Sequence, residues 1–272
     1  MSEPIMDVAA GVPFTALPPA VPVSGPVPLV VTWHMLDAPC TDVSFAAALP
    51  LREVPAWRVH LGMPMCGRRM RAAGMQAIVD LAREDAVRSY VEPFVRQASE
   101  EFPAVLAELR ARFPVDDGPV GLVGGSLGGG VVLEVLRRGR VPVSAAALVN
   151  PAIRARSLVA VLEGIFGWSY PWTEEAGVVA DRLDYVAAAD AVAVGRPAVL
   201  VVSGEEDHAP FRVDAVALVG ALRERTVAEL VTVPGLAHAL AEYPGVEPAP
   251  QSASAQVVDD TITRWLLSCL RG

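Results

Sequence analysis

The chain has 272 residues, a formal net charge of -9, and 53% hydrophobic against 19% charged residues. That length suits one large α/β domain with a full core, and that composition belongs to a folded chain. The negative balance argues against a phosphate-tracking surface, so no nucleic-acid partner is expected. No lysine occurs anywhere, which removes the P-loop lysine, Schiff-base chemistry and a lysine-activated serine.

The stretch from Val8 to Val31 is apolar but interrupted by Pro13, Pro18, Pro19, Pro22, Pro26 and Pro28. Glu3 and Asp7 stand where a secretory signal would be basic. A membrane-spanning helix would not tolerate that proline load. The expectation is an extended N-terminal arm on a cytoplasmic chain without a membrane span.

Continuous apolar runs then recur at 27–34, 57–63, 119–124, 143–150, 198–204 and 228–234. Runs of this length suit parallel strands covered on both faces. Helical patterns alternate with them at 75–112, 126–138, 212–225 and 257–270, with Pro103 expected to divide the first. Strands alternating with helices predict a single α/β domain, a mostly parallel doubly wound sheet flanked by helices. From Pro151 to about Val194 there is too much chain for one crossover. Two helical pieces there flank an aromatic loop, and the segment 151–194 is expected to be a lid-like insertion over the carboxyl edge. The acidic stretch 242–250 reads as a solvated connection.

The chemistry begins at Gly124-Gly125-Ser126-Leu127-Gly128, directly after one apolar run and before a helical one. This is G-x-S-x-G in the strand–turn–helix setting that the motif needs. Glycines two residues either side of the serine remove side chains that would collide at a sharp turn. A dinucleotide-binding turn is excluded by spacing, since serine stands where the second glycine belongs.

A serine hydroxyl needs an adjacent base. Four histidines exist, at 34, 60, 208 and 238. His238 follows the last predicted strand, late in the chain and at the sheet edge that carries the serine. Its acid is sought in Gly204-Glu205-Glu206-Asp207, after the preceding strand; Asp207, third past the glycine, is preferred over Glu205 and Glu206. His208 adjoins that acid too closely to bridge it to Ser126. His60, on a strand, reads as a satisfied core or edge histidine. Cys40, Cys66 and Cys269 show no metal-ligand spacing and read as structural.

With Ser126, Asp207 and His238 in that order, the chain resembles the α/β-hydrolase superfamily. The likeness is closest to bacterial serine esterases near the dienelactone-hydrolase and prolyl-oligopeptidase-like branches. It rests on the serine elbow, the G-x-x-D loop at 204–207 and the late histidine loop, and spans nearly the whole chain. The resemblance implies that the residues after His34, in Trp33-His34-Met35-Leu36, supply an oxyanion amide. By that correspondence Leu127 and Leu36 hold the oxyanion, with Met35, which replaces a usual glycine, as second choice. Met63-Pro64-Met65-Cys66-Gly67-Arg68 is similar to a pocket-shaping loop of such esterases. Arg68, Arg69 and Arg71 are expected to be a solvated cluster more than an anion clamp.

The expected reaction is acyl transfer to Ser126 from a small carboxylic ester, with no metal and no organic cofactor. Phe166, Trp168, Tyr170 and Trp172 either wall an apolar pocket for short to medium acyl or aryl esters, or form the insertion's own core. Thioesters, lactones, peptides and perhydrolysis remain open to the same triad. So does a silent binding protein on the same scaffold.

Overall fold

The computed structural model describes residues 3–21, 24–70, 72 and 74–270. Eight strands form one sheet: β1 (Ile5–Ala9), β2 (Val12–Leu17), β3 (Leu29–Trp33), β4 (Trp57–Leu61), β5 (Val120–Gly125), β6 (Val143–Val149), β7 (Ala198–Gly204) and β8 (Ala228–Val233). Their order is β1-β2-β4-β3-β5-β6-β7-β8, and every pairing from β4 to β8 is parallel. Helices α1 (Asp42–Ala48), α2 (Met75–Asp85), α3 (Glu92–Arg112), α4 (Leu127–Arg138), α5 (Ala155–Phe166), α6 (Glu174–Arg182), α7 (Ala189–Val192), α8 (Ala209–Arg223) and α9 (Ala253–Cys269) complete the chain. Two apolar clusters result, one on each face of the sheet. One packs α3, α4 and α8 over Trp33, Leu122 and Leu148; the other packs α1 and α9 over Val30, Val123 and Val202. Strands buried on both faces have no polar side to show, which is why they read as unbroken apolar runs.

The N-terminal arm is more than an extended segment. Residues 5–17 make a hairpin whose second strand pairs antiparallel with β4, from Phe14↔Leu61 to Leu17↔Arg58. Its two-residue turn puts Ala10 at φ 46° and Gly11 at φ 82°. Positive φ at both positions is what a tight hairpin with right-handed strand twist requires.

The long helical stretch breaks elsewhere than expected. Pro103 lies inside α3, while the interruption falls at Asp85, followed by a π-helical turn at Ala86–Val91. Asp85 takes an extended backbone, and its carboxylate accepts from the amides of Val87 and Arg88. Pro93 occupies the first turn of α3, where proline costs nothing. Pro103 forfeits one helix bond, and burial of Phe102, Val105, Leu106 and Leu109 around it offsets that loss.

The stretch 242–250 is also less free than expected. Gly245 is buried against Ala38, and the Gly245 and Val246 carbonyls accept from Cys40 N and Thr41 Oγ1. That seam ties the turn after β3 to the loop after β8. Among the described residues, no helix is long and apolar enough to cross a membrane.

Candidate active site

β3 and β5 are neighbours in the sheet, yet their chains leave the carboxyl edge in different directions. Such a divergence opens a crevice where ligands bind in open α/β sheets. Ser126 stands at that point, between β5 and α4, with φ 49° and ψ -120°. A non-glycine residue there is strained, and the surroundings must hold it. Ser126 N donates to Val149 O at 2.9 Å, and Ser126 O accepts from Gly129 N and Ala152 N. A Cβ on Gly124 would strike the Gly128 carbonyl, and one on Gly128 would strike the carbonyls of Trp33 and His34. Both glycines therefore serve close backbone approach, bringing the start of α4 against the end of β3.

His238 reaches the serine from the loop after β8. Its Nε2 lies 2.9 Å from Ser126 Oγ, and its Nδ1 lies 2.7 Å from Asp207 Oδ1. Ser126 and Asp207 are 4% and 5% exposed, so this chain of groups is almost shielded from bulk water. The arrangement reads as Nδ1–H donating to the carboxylate while Nε2 accepts from the hydroxyl. Asp207 Oδ1 also accepts from His208 N at 2.7 Å, whereas its buried Oδ2 has no hydrogen-bond partner among the described residues. Glu205 and Glu206 are exposed. His208 lies beside the relay with its ring 5.0 Å from that of His238. Burial, then the neighbouring His238, push its pKa below the ordinary value.

Asn150 is a residue that the sequence reading missed. It follows β6 with φ 44° and is fully buried. Its Nδ2 donates to the carbonyls of Ala237 and His238 at 2.9 and 3.0 Å, and its Oδ1 accepts from Gly204 N at 2.7 Å. One side chain thus joins the acid loop to the histidine loop. The only hint in the sequence was an asparagine at a strand end, a position that polar residues often take. Phe211 was also missed; its ring sits 5.4 Å from His238 on the first turn of α8.

The residues after β3 divide. Met35 is buried against Gly125, and its carbonyl oxygen lies 2.5 Å from His34 Nδ1. His34 Nε2 accepts from Met63 N at 3.0 Å. Burial lowers the His34 pKa to about 4, so this ring is a neutral spacer that sets the turn. His60 is likewise neutral, lowered by burial to about 3, with Nδ1 on Thr32 Oγ1. Leu36 is half-buried and Leu127 opens α4.

The four aromatic rings of the insertion meet one another, not the serine. Phe166 stacks near Trp168, Trp168 meets Tyr170, and Tyr170 meets Trp172 edge-on at 4.8 Å. Arg83 and Arg156 cover the outer rings, and Tyr170 Oη donates to Asp85. A small recess of about 10 Å³ beside Leu127 is lined by Val91, Val95, Leu158 and Tyr185, and none of the four aromatic residues at 166–172 is among its lining. The expectation of a solvated arginine cluster is corrected. Arg68 binds Asp42 at 2.6 Å, and Arg69 grips Glu101 at 2.7 and 2.9 Å, because each guanidinium has a carboxylate within fork reach. Arg71 lies outside the described residues. Cys66 and Cys40 are buried thiols, with burial pushing Cys66 up to about 12. The one grouping with metal-ligand proximity among the described residues is Asp207, His208 and His238, within 4.8 Å. His238 Nδ1 and Asp207 already share a proton there, and a metal would have to displace it.

A mostly parallel eight-stranded sheet with a serine elbow at its carboxyl edge defines an α/β-hydrolase. The profile of the prolyl oligopeptidase family matches residues 96–271, and the chain belongs to that family. Among curated proteins nothing matches. Solved structures share the fold at low identity. TT1662 from Thermus thermophilus is 19% identical with a TM-score of 0.64, over 97% of this chain and 98% of that one. Carboxyl esterase 2 from the fungus Tuber melanosporum is 18% identical with a TM-score of 0.57, over 100% and 88%. The acylaminoacyl peptidase of Pyrococcus horikoshii is 11% identical with a TM-score of 0.68, over 99% of this chain but 42% of its own length.

Proposed function

We propose that this hydrolase is a serine esterase in which Ser126 attacks, His238 moves the proton and Asp207 orients and stabilises the imidazolium. The carrying observation is the continuous relay at 2.7 and 2.9 Å from three separate strand ends. His238 takes the Ser126 proton as the hydroxyl adds to an ester carbonyl, then passes it to the departing alcohol. Water, deprotonated by the same ring, adds to the acyl-enzyme, and collapse returns the serine and frees the acid.

The developing oxyanion is assigned to the amides of Leu127 and Leu36. His34 supports Leu36 over Met35. A peptide unit is planar, so a Met35 oxygen held on His34 aims the Leu36 N–H the opposite way. Each such donor lowers the barrier by about 3 kcal/mol.

The recess beside Leu127 has room for about one water, so an acyl chain longer than acetyl would have to open it. The likeness to a fungal carboxyl esterase along nearly all of both chains favours ester over peptide cleavage. The segment 151–194 walls that recess through Leu158 of α5, while its aromatic cluster buttresses the wall from behind. Peptide cleavage is the second reading, favoured by the family profile and by the likeness to the acylaminoacyl peptidase. A fluorophosphonate probe tests the nucleophile: labelling at Ser126 that vanishes in Ser126→Ala is expected, and an unlabelled folded protein overturns the reading. Nitrophenyl esters run beside thioesters and peptides then order the substrate classes.

A further inference from the structure

Asp37 sits on the turn after β3, next to Leu36. Its Oδ2 lies 3.4 Å from His238 Nε2, the same nitrogen that faces Ser126 Oγ at 2.9 Å. The carboxylate is thus no farther from the serine oxygen than those two separations laid end to end. Its side chain is 49% exposed, so a substrate entering from solvent can reach it. The turn is held in place, since Leu240 N donates to Ala38 O at 2.9 Å and Cys40 N to Gly245 O.

The charge on Asp37 has no strong partner in this setting. With Nδ1–H on Asp207 and Nε2 accepting from Ser126, the resting ring has no proton to offer it. Among the described residues its ion contact is with His238 alone. The further groups that feel its charge are His208, Tyr90 and Cys40, none of them cationic at neutral pH.

We propose that Asp37 is a cation subsite beside the nucleophile. It selects substrates that carry an ammonium group close to the scissile carbonyl, on the acyl side as in an α-amino ester or on the alcohol side as in a choline ester. This rests on the serine-hydrolase reading and names its substrate class. An α-ammonium stands two bonds from the carbonyl carbon, which places it within reach of Oδ2 once that carbon meets Ser126 Oγ. Ion pairing with the carboxylate in a partly shielded site, joined by a charge-assisted hydrogen bond where the ammonium carries N–H, favours such a substrate by about tenfold. An anion in the same position is repelled.

The test compares kcat/KM for matched pairs just below neutral pH, where the α-amine is protonated. Alanine and isobutyrate nitrophenyl esters, which differ by ammonium against methyl, probe the acyl side. Acetylthiocholine and its neutral carbon isostere probe the alcohol side. The wild type is expected to favour the cation in at least one pair, and Asp37→Asn to lower that cation-to-neutral ratio by about tenfold. The responding pair identifies the side, and Asp37→Glu is expected to restore part of the ratio. Ratios that are unchanged in both pairs, or that survive in Asp37→Asn, overturn the subsite. Asp37→Ser repeats the measurement should the asparagine variant misfold. A wild type that neither reacts with fluorophosphonate nor cleaves any of the four esters sinks the hydrolase reading itself, a separate outcome.

Discussion

The four histidines divide between two regions of one sheet. His34 and His60 lie against β3 and β4, fully buried, and burial holds both neutral near pKa 4 and 3. His208 and His238 lie on loops beyond β7 and β8, half-buried, with Asp207 between them. The first pair fills hydrogen-bonding needs of the backbone and of Thr32. In the second region His238 connects a hydroxyl to a carboxylate. The same side chain is a spacer where burial outweighs the charges near it, and is placed to carry a proton where an acid stands behind it and a hydroxyl in front. Place in the sheet, not residue type, makes the difference.

The largest effect that tests this contrast is on turnover. Ser126→Ala or His238→Ala should lower kcat by about a million-fold, and Asp207→Asn by about ten-thousand-fold. His60→Gln should leave kcat within about tenfold of wild type, well short of either loss. Steady-state ester hydrolysis by folded variants reads all four, and similar losses for His60 and His238 would erase the distinction.

Stability against pH probes the other region. Each buried neutral histidine has a folded pKa below its unfolded value near 6.5. The unfolded chain therefore binds more protons as pH falls, and the stability that both rings contribute above pH 6.5 is lost on the way down to about 4. Urea unfolding should show a loss of about 3 kcal/mol or more between pH 7 and pH 4. A flat profile would mean that these rings meet water.

Asn150 sharpens the comparison, because it joins the two loops of the catalytic region. Asn150→Ala leaves Gly204 N and the Ala237 and His238 carbonyls without their partner. It should cost about 2 kcal/mol of stability and lower kcat more than it changes KM. Loss of stability with kcat intact would make Asn150 structural only. The smallest effect is expected at the aromatic cluster. Trp172 is 40% exposed and faces Arg156, so Trp172→Ala should change stability by less than about 1 kcal/mol. Acyl-length profiles should stay as they are; a shifted profile would put the cluster in the pocket after all.

Much of this was legible in the residues. Six of the eight strands showed as apolar runs, since a parallel strand buried on both faces needs nothing else. Ser126 was legible because its turn demands glycine at 124 and 128. His238 and Asp207 followed from chain order along the strand ends. The hairpin at 5–17 was obscured by Pro13, which stands near the start of β2, one residue before the pairing with β4 begins at Phe14 and so where no ladder bond to β4 is forfeited. Pro103 misled for a related reason, since buried neighbours outweighed a local rule.

Local pattern determined the element types and singled out the glycine-flanked Ser126, because those depend on steric demands within a few residues, while chain order along the strand ends pointed to His238 and Asp207. The fold alone decided what each polar group faces. Asn150 bridging two loops and Asp37 beside His238 both join residues far apart in the chain. Such contacts depend on how helices and loops pack over the sheet, and spacing along a sequence carries no record of that distance.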